Sequence, residues 1–193
     1  MVLVVERNFS FLTLEQCWNL LEIHSVWGSE MDVNKEDGRV IFVNGLVLSS
    51  TSTRQELFGI DDIFWEPWPD NGVNTVAYRA VFNISKNRQG DIYLVVFFSC
   101  PSDMNDTVKS WSFAPDKLLM GEQNKPDGKV TRKLRDWFKE QTSIDLPAYG
   151  AWGHIDAAYD PHNRTGTIVC NYRSGFKDEK AWKDYIKWNK LKI

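Results

Sequence analysis

The chain lacks the short motifs that announce a catalytic or cofactor site. No Gly-x-Ser-x-Gly elbow occurs, which excludes a serine hydrolase of that type. Neither common glycine-rich phosphate loop is present, so nothing marks a nucleotide or dinucleotide site. Cysteine is scarce. Cys17, Cys100 and Cys170 are odd in number, far apart and outside any Cys-x-x-Cys pair, which argues against a disulfide framework or a zinc ribbon. Each sits in an apolar segment and is expected to be a reduced, buried thiol. Excess positive charge is also missing. A net charge of −3 and a pI near 5.6 provide no general attraction to nucleic acid or to an anionic membrane. No apolar run reaches membrane-spanning length, and the short apolar start carries no basic leader, so a cytoplasmic protein is expected. The four Asn-x-Ser/Thr sequons, at Asn8, Asn83, Asn105 and Asn163, then read as Asn-rich turns.

Large aromatics are abundant instead: 9 Trp and 11 Phe among 193 residues. Most of them are expected in the core, which a chain of this length can build as one domain spanning 1–193.

Periodicity and punctuation predict the elements. Residues 2–5 read as a short strand. A helix follows, capped by Thr13 and Gln16, with Leu14, Cys17, Leu20, Leu21 and His24 on one face and Gly28 at its end. Asn44-Gly45 between two β-rich runs is a strong hairpin signal. Thr53 and Glu56 form a second capping box, for a short helix ended by Gly59. Residues 73–85 alternate, with Val76, Tyr78, Ala80, Phe82 and Ile84 on one side. The run 91–100 is apolar on both faces and reads as a central strand, placing Leu94 and Phe97 in the core. Residues 109–113 are expected to add an edge strand within a polar, mobile stretch, 102–127. A helix over 129–142 turns Val130, Leu134, Trp137 and Phe138 inward. A hairpin joins 153–159 to 167–173. The last helix, 177–190, carries an apolar stripe of Trp182, Tyr185 and Ile186 and a solvated lysine face. Hairpin-linked strands without regular helix alternation predict an α+β fold with a mainly antiparallel sheet and about three helices.

Three places carry candidate chemistry. The first is the loop 64–72, Phe-Trp-Glu-Pro-Trp-Pro-Asp-Asn-Gly. Its prolines forbid a helix interior or a central strand. Phe64, Trp65, Glu66, Trp68 and Asp70 then form a stiff acidic-aromatic surface suited to another protein. The same tryptophans also suit a sugar ring, as in a carbohydrate-binding module. The second is His154, Asp156, Asp160 and His162. Residues two apart on a strand share a face, and two histidines with a carboxylate are a workable zinc or iron set. The third, Ser49 to Thr53 after a strand, resembles the Ser-Thr-Ser element of ADP-ribosyltransferases. The acidic motif those enzymes need is absent, so a strand end and helix cap is the better reading.

The reading favoured by this balance is a small cytoplasmic binding protein without cofactor. It would inhibit a toxin or a host enzyme by covering its surface, as an immunity protein or a phage-type inhibitor does. The competing classes are a metal-assisted hydrolase using His154, Asp156 and His162, and a carbohydrate-binding module.

Overall fold

The computed structural model describes residues 31–69, 75–84, 88–119 and 127–191. The expected strand at 2–5, the helix begun by Thr13, residue Asp70, and Lys86 and Asn87 of the turn after Ile84 lie outside the described residues.

The chain enters a small antiparallel sheet of β1 (Met31–Val33), β2 (Val40–Phe42) and β3 (Val47–Leu48). The expected Asn44-Gly45 turn links the last two. Gly45 takes φ 84°, its N–H donates to the Phe42 carbonyl at 2.9 Å, and Val40 and Ile41 face Leu48 and Val47. A positive φ is what glycine tolerates and β-branched residues do not. Next comes α1 (Arg54–Phe58), with the expected capping box complete. The Thr53 hydroxyl accepts from Glu56 N, and Glu56 Oε2 accepts from Thr53 N.

Among the described residues the main sheet has seven antiparallel strands in the order β4, β5, β6, β7, β10, β9, β8. These are β4 (Glu66–Pro67), β5 (Ala77–Phe82), β6 (Ile92–Phe97), β7 (Ser110–Pro115), β8 (Ala148–Gly150), β9 (Gly153–Asp160) and β10 (Thr165–Tyr172). Helices α2 (Asp116–Leu119) and α3 (Asp127–Thr142) precede β8, and α4 (Glu179–Trp188) follows β10. The result is the α+β, mainly antiparallel fold the sequence predicts. Among the described residues no helix is long and apolar enough to cross a membrane.

One face of this sheet builds the core. Phe42 lies edge-on to Phe82 at 5.3 Å and to Phe113 at 5.5 Å. Phe113 stacks on Trp111 and meets Trp137 and Phe138 of α3. Val130, Leu134, Trp137 and Phe138 are buried, as their spacing predicts. Helix and sheet approach so closely at Gly166 that a Cβ there would fall 2.3 Å from Val130 Cγ1.

Two expectations fail. The 109–113 segment is not an edge. β7 lies between β6 and β10, with Trp111 and Phe113 fully buried. Its alternating serines suggest a half-exposed strand, but its partner β10 comes from far along the chain, and no local pattern reveals that pairing. Phe97 is not in the core either, keeping 37% of its surface exposed, whereas Leu94 is fully buried. Ile92, Leu94 and Val96 take the core side of β6, so alternation sends Phe97 to the opposite face. There its cross-strand neighbours, Ala77 and Ser110, are too small to cover the ring.

The start of the polar stretch 102–127 is held by a buried arginine and an aspartate. Arg54 is 1% exposed; its guanidinium donates to the carbonyls of Cys100 and Pro101 and lies 4.5 Å from the Phe98 ring centre. Asp106 accepts from the N–H groups of Ser99 and Cys100 at 2.6 and 2.7 Å and pairs with Lys109 at 3.2 Å. Burial opposes ionisation of this carboxyl, but those bonds outweigh it and hold it below the usual carboxylate range.

One buried hydroxyl bridges the two sheets. Tyr172 Oη accepts from Trp111 Nε1 at 3.1 Å and shares its proton between the carbonyls of Leu48 at 3.0 Å and Gly38 at 3.2 Å. Tyr172 is fully buried, and burial pushes its phenol far above its ordinary titration range. Tyr172→Phe should therefore leave a buried indole N–H and two carbonyls short of a partner. The expected loss is about 1–3 kcal/mol of unfolding free energy, read by urea denaturation.

Candidate functional site

The aromatic loop is not a free projection. Glu66 and Pro67 form β4, a two-residue edge strand paired with Arg79 and Tyr78, and Trp68 N–H donates to the Ala77 carbonyl at 2.8 Å. An edge is where a sheet tolerates proline. Alternation then sorts the side chains. Trp65 turns inward, stacking on Phe58 at 5.7 Å and donating from Nε1 to the Leu57 carbonyl at 2.9 Å. Phe64 turns outward and is 77% exposed. Trp68 is 37% exposed and lies edge-on to Tyr93 at 6.0 Å. The two tryptophans therefore do not form a shared stacking platform for a sugar. Asp70 lies outside the described residues.

Glu66 is engaged within the chain. Its Oε2 accepts from both Nε and an Nη of Arg79 at 2.7 Å. The same guanidinium sits 4.6 Å from the Trp68 ring centre.

The sheet register shows what surrounds Trp68. Arg79 lies opposite Val95, Val81 opposite Tyr93, and Ala77 opposite Phe97, so these side chains share the face away from the core. Val81 is 54% exposed. This face therefore carries Trp68, Val81, Tyr93 and Phe97, at least partly exposed, across β4, β5 and β6, with Arg79 among them. Reading the sequence alone misses Arg79, Val81, Tyr93 and Phe97. The alternation of both strands is visible there, but their register is not.

At the far end of that face lies the proposed metal set, whose members are not brought together. His154 is 7% exposed, and its Nδ1 is 2.8 Å from the Tyr185 hydroxyl of α4, which also accepts from Asn171 Nδ2. Its Nε2 is buried without a hydrogen-bond partner. Asp156 is taken by Arg135, with Nε and an Nη at 2.9 and 2.8 Å. Asp160 folds the turn, accepting from His162 N and from the Asn163 amide. Among the described residues no group of three or more His, Cys, Asp or Glu side chains is placed to hold a metal ion. The lysines of α4 are exposed, as expected of a solvated face, and Asp178 caps the helix by accepting from Ala181 N.

Comparison with known proteins bears on most of the chain. A family model described as RhsI1 immunity protein matches residues 31–191. A chain of the solved structure titled "Rhs1-CT in complex with cognate immunity protein RhsI1" is similar, at 44% identity and a TM-score of 0.78. The match covers 84% of this chain and 99% of that one. The comparison with curated proteins finds no match.

Two predictions follow from the geometry of these residues. Trp65→Ala should lower stability by roughly 3 kcal/mol, as for a large aromatic removed from a packed site, while Trp68→Ala should cost within about 1 kcal/mol; thermal melts of both variants check the difference. His154 sets a pH dependence. Burial lowers its pKa from 6.5, only partly offset by Asp156, so the folded state favours the neutral ring. Its contribution is complete above about pH 6.5, where both states are neutral. It declines as pH falls from there toward the depressed folded value, because the unfolded chain takes up the proton first. Urea titrations across that window should show the decline in the parent protein and a flatter profile in His154→Asn.

Proposed function

The chain belongs to the RhsI1 immunity protein family, and on that premise we propose that it neutralises a cognate Rhs toxin domain by binding to it and covering its working surface. The observation that carries this reading is the family match, which runs from β1 through α4 and so takes in both sheets and the exposed aromatic face. As an inhibitor it needs a rigid complementary surface rather than a reacting centre.

The surface proposed for the toxin is built around Phe64 and Trp68, with Glu66 beside them and Val81, Tyr93 and Phe97 continuing it; Asp70, two residues after Trp68 in the sequence, is proposed to belong to it. Trp65 supports this surface from below. Support comes from exposure and from charge. Large apolar side chains left open beside a polar rim are the usual anatomy of a binding patch. From Gln55 to Tyr78 the chain carries Glu56, Asp61, Asp62, Glu66 and Asp70 and no lysine or arginine. That imbalance favours a basic toxin surface and electrostatically steered association. The proposed site of action is the cytoplasm, a reading supported by the free thiols of Cys100 and Cys170.

The test uses purified protein and the cognate Rhs toxin C-terminal domain. Co-expression should relieve toxicity, and calorimetry should find a stable complex. Phe64→Ala and Trp68→Ala should each weaken binding by about 2 kcal/mol or more, the size typical of a hot spot. The association rate should fall as salt rises. Folded variants that bind with unaltered affinity would move the interface elsewhere.

A further inference from the structure

We propose that Arg79 is a positioning residue of the partner surface. It holds the Trp68 indole in the orientation the toxin meets, and Glu66 acts through it rather than on the toxin. This rests on the reading that Trp68 belongs to the interface. The argument begins from what Arg79 touches. It stands opposite Glu66 across the β4–β5 ladder and opposite Val95 across β5–β6. Its guanidinium is bound by Glu66 Oε2 through two nitrogens at 2.7 Å and lies 4.6 Å from the Trp68 ring centre. Tyr93 meets the edge of the same indole at 6.0 Å. The guanidinium's contacts with the carboxylate and the indole, and the Tyr93 ring's contact with the indole edge, tie β4, β5 and β6 to one exposed tryptophan.

Stability does not account for this arrangement. The Arg79 and Glu66 side chains are 34% and 45% exposed, and ion pairs that open to water contribute little to folding. What the pair does is physical and local. A planar guanidinium, locked by its carboxylate, offers a flat cationic face for the indole to lie on. The rotamers of Trp68 are then restricted before the toxin arrives, which reduces the ordering cost of binding. Charge matters too. An uncompensated arginine on this surface would repel a basic partner, and Glu66 cancels it. Glu66 is therefore committed inside the chain, while the carboxylates of Asp61 and Asp62 stay on the exposed surface.

A double-mutant cycle with the toxin domain tests the inference. Arg79→Lys keeps the charge and removes the planar face. It should weaken binding about tenfold, chiefly through faster dissociation, with the salt dependence of association unchanged. In a Trp68→Ala background the same change should have no further effect. The indole N–H resonance of Trp68, assigned by its loss in Trp68→Phe, should also shift in free Arg79→Lys protein. Additive losses would make Arg79 a direct toxin contact and overturn the proposal. An unshifted resonance, or an Arg79→Lys protein that binds as well as the parent, would overturn it too. If Trp68→Ala binds normally, the interface reading itself falls. A loss from Arg79→Lys in that case would again mean direct contact and overturn the positioning role.

Discussion

The hydroxyl of Tyr172 is the point on which the architecture turns. It lies at the end of β10, fully buried, and satisfies Trp111 from the centre of the large sheet and two carbonyls of the small one, Leu48 in β3 and Gly38 in the turn before β2. A buried polar group without a partner is costly, so these groups together fix how the two sheets sit. Neighbouring contacts reinforce the position. Trp152 packs edge-on to Tyr172, sits where a Cβ on Gly38 would be, and donates to the Lys35 carbonyl. Gly38 takes φ 70°, so the turn that carries its carbonyl toward Tyr172 is possible there because the residue has no side chain.

Once the small sheet, α1 and α3 are gathered on one face, the other face of the seven-stranded sheet is left to different work. At one end α4 covers it through Tyr185 on His154 and Asn171. Toward β4 it carries Trp68, Tyr93, Val81 and Phe97. A monomer gains little from leaving such side chains open, whereas a binding protein gains an anchor for its partner. The same two-sidedness explains why the apolar run of β6 misleads. Strands covered on both faces and strands with one face left partly open have the same apolar pattern.

Local chemistry was legible wherever the deciding contacts lie within a few residues. The Asn44-Gly45 hairpin, the Thr53–Glu56 capping box, the inward face of α3 and the β9–β10 hairpin all depend on turn geometry and near-neighbour hydrogen bonds, and all stand where their residues predict. The function class was legible by a different route, from the absence of catalytic motifs and the concentration of acids and aromatics around Phe64. The candidate site was legible only in part. Loop residues stood out by composition, but Trp65 and Trp68 look alike in the sequence and face opposite ways in the fold.

The sequence by itself determined the antiparallel α+β class, the local turns and caps, and the acidic-aromatic segment, because propensity, periodicity and charge act over short distances. Only the tertiary structure decided that β7 is central, that Phe97 is exposed, that Asp156 is taken by Arg135 rather than offered to a metal, and that Glu66 is spent on Arg79. Each of those depends on register or on a partner from a distant part of the chain. Register is set by the packing of the whole core, since a slip of one residue would exchange the two faces of a strand.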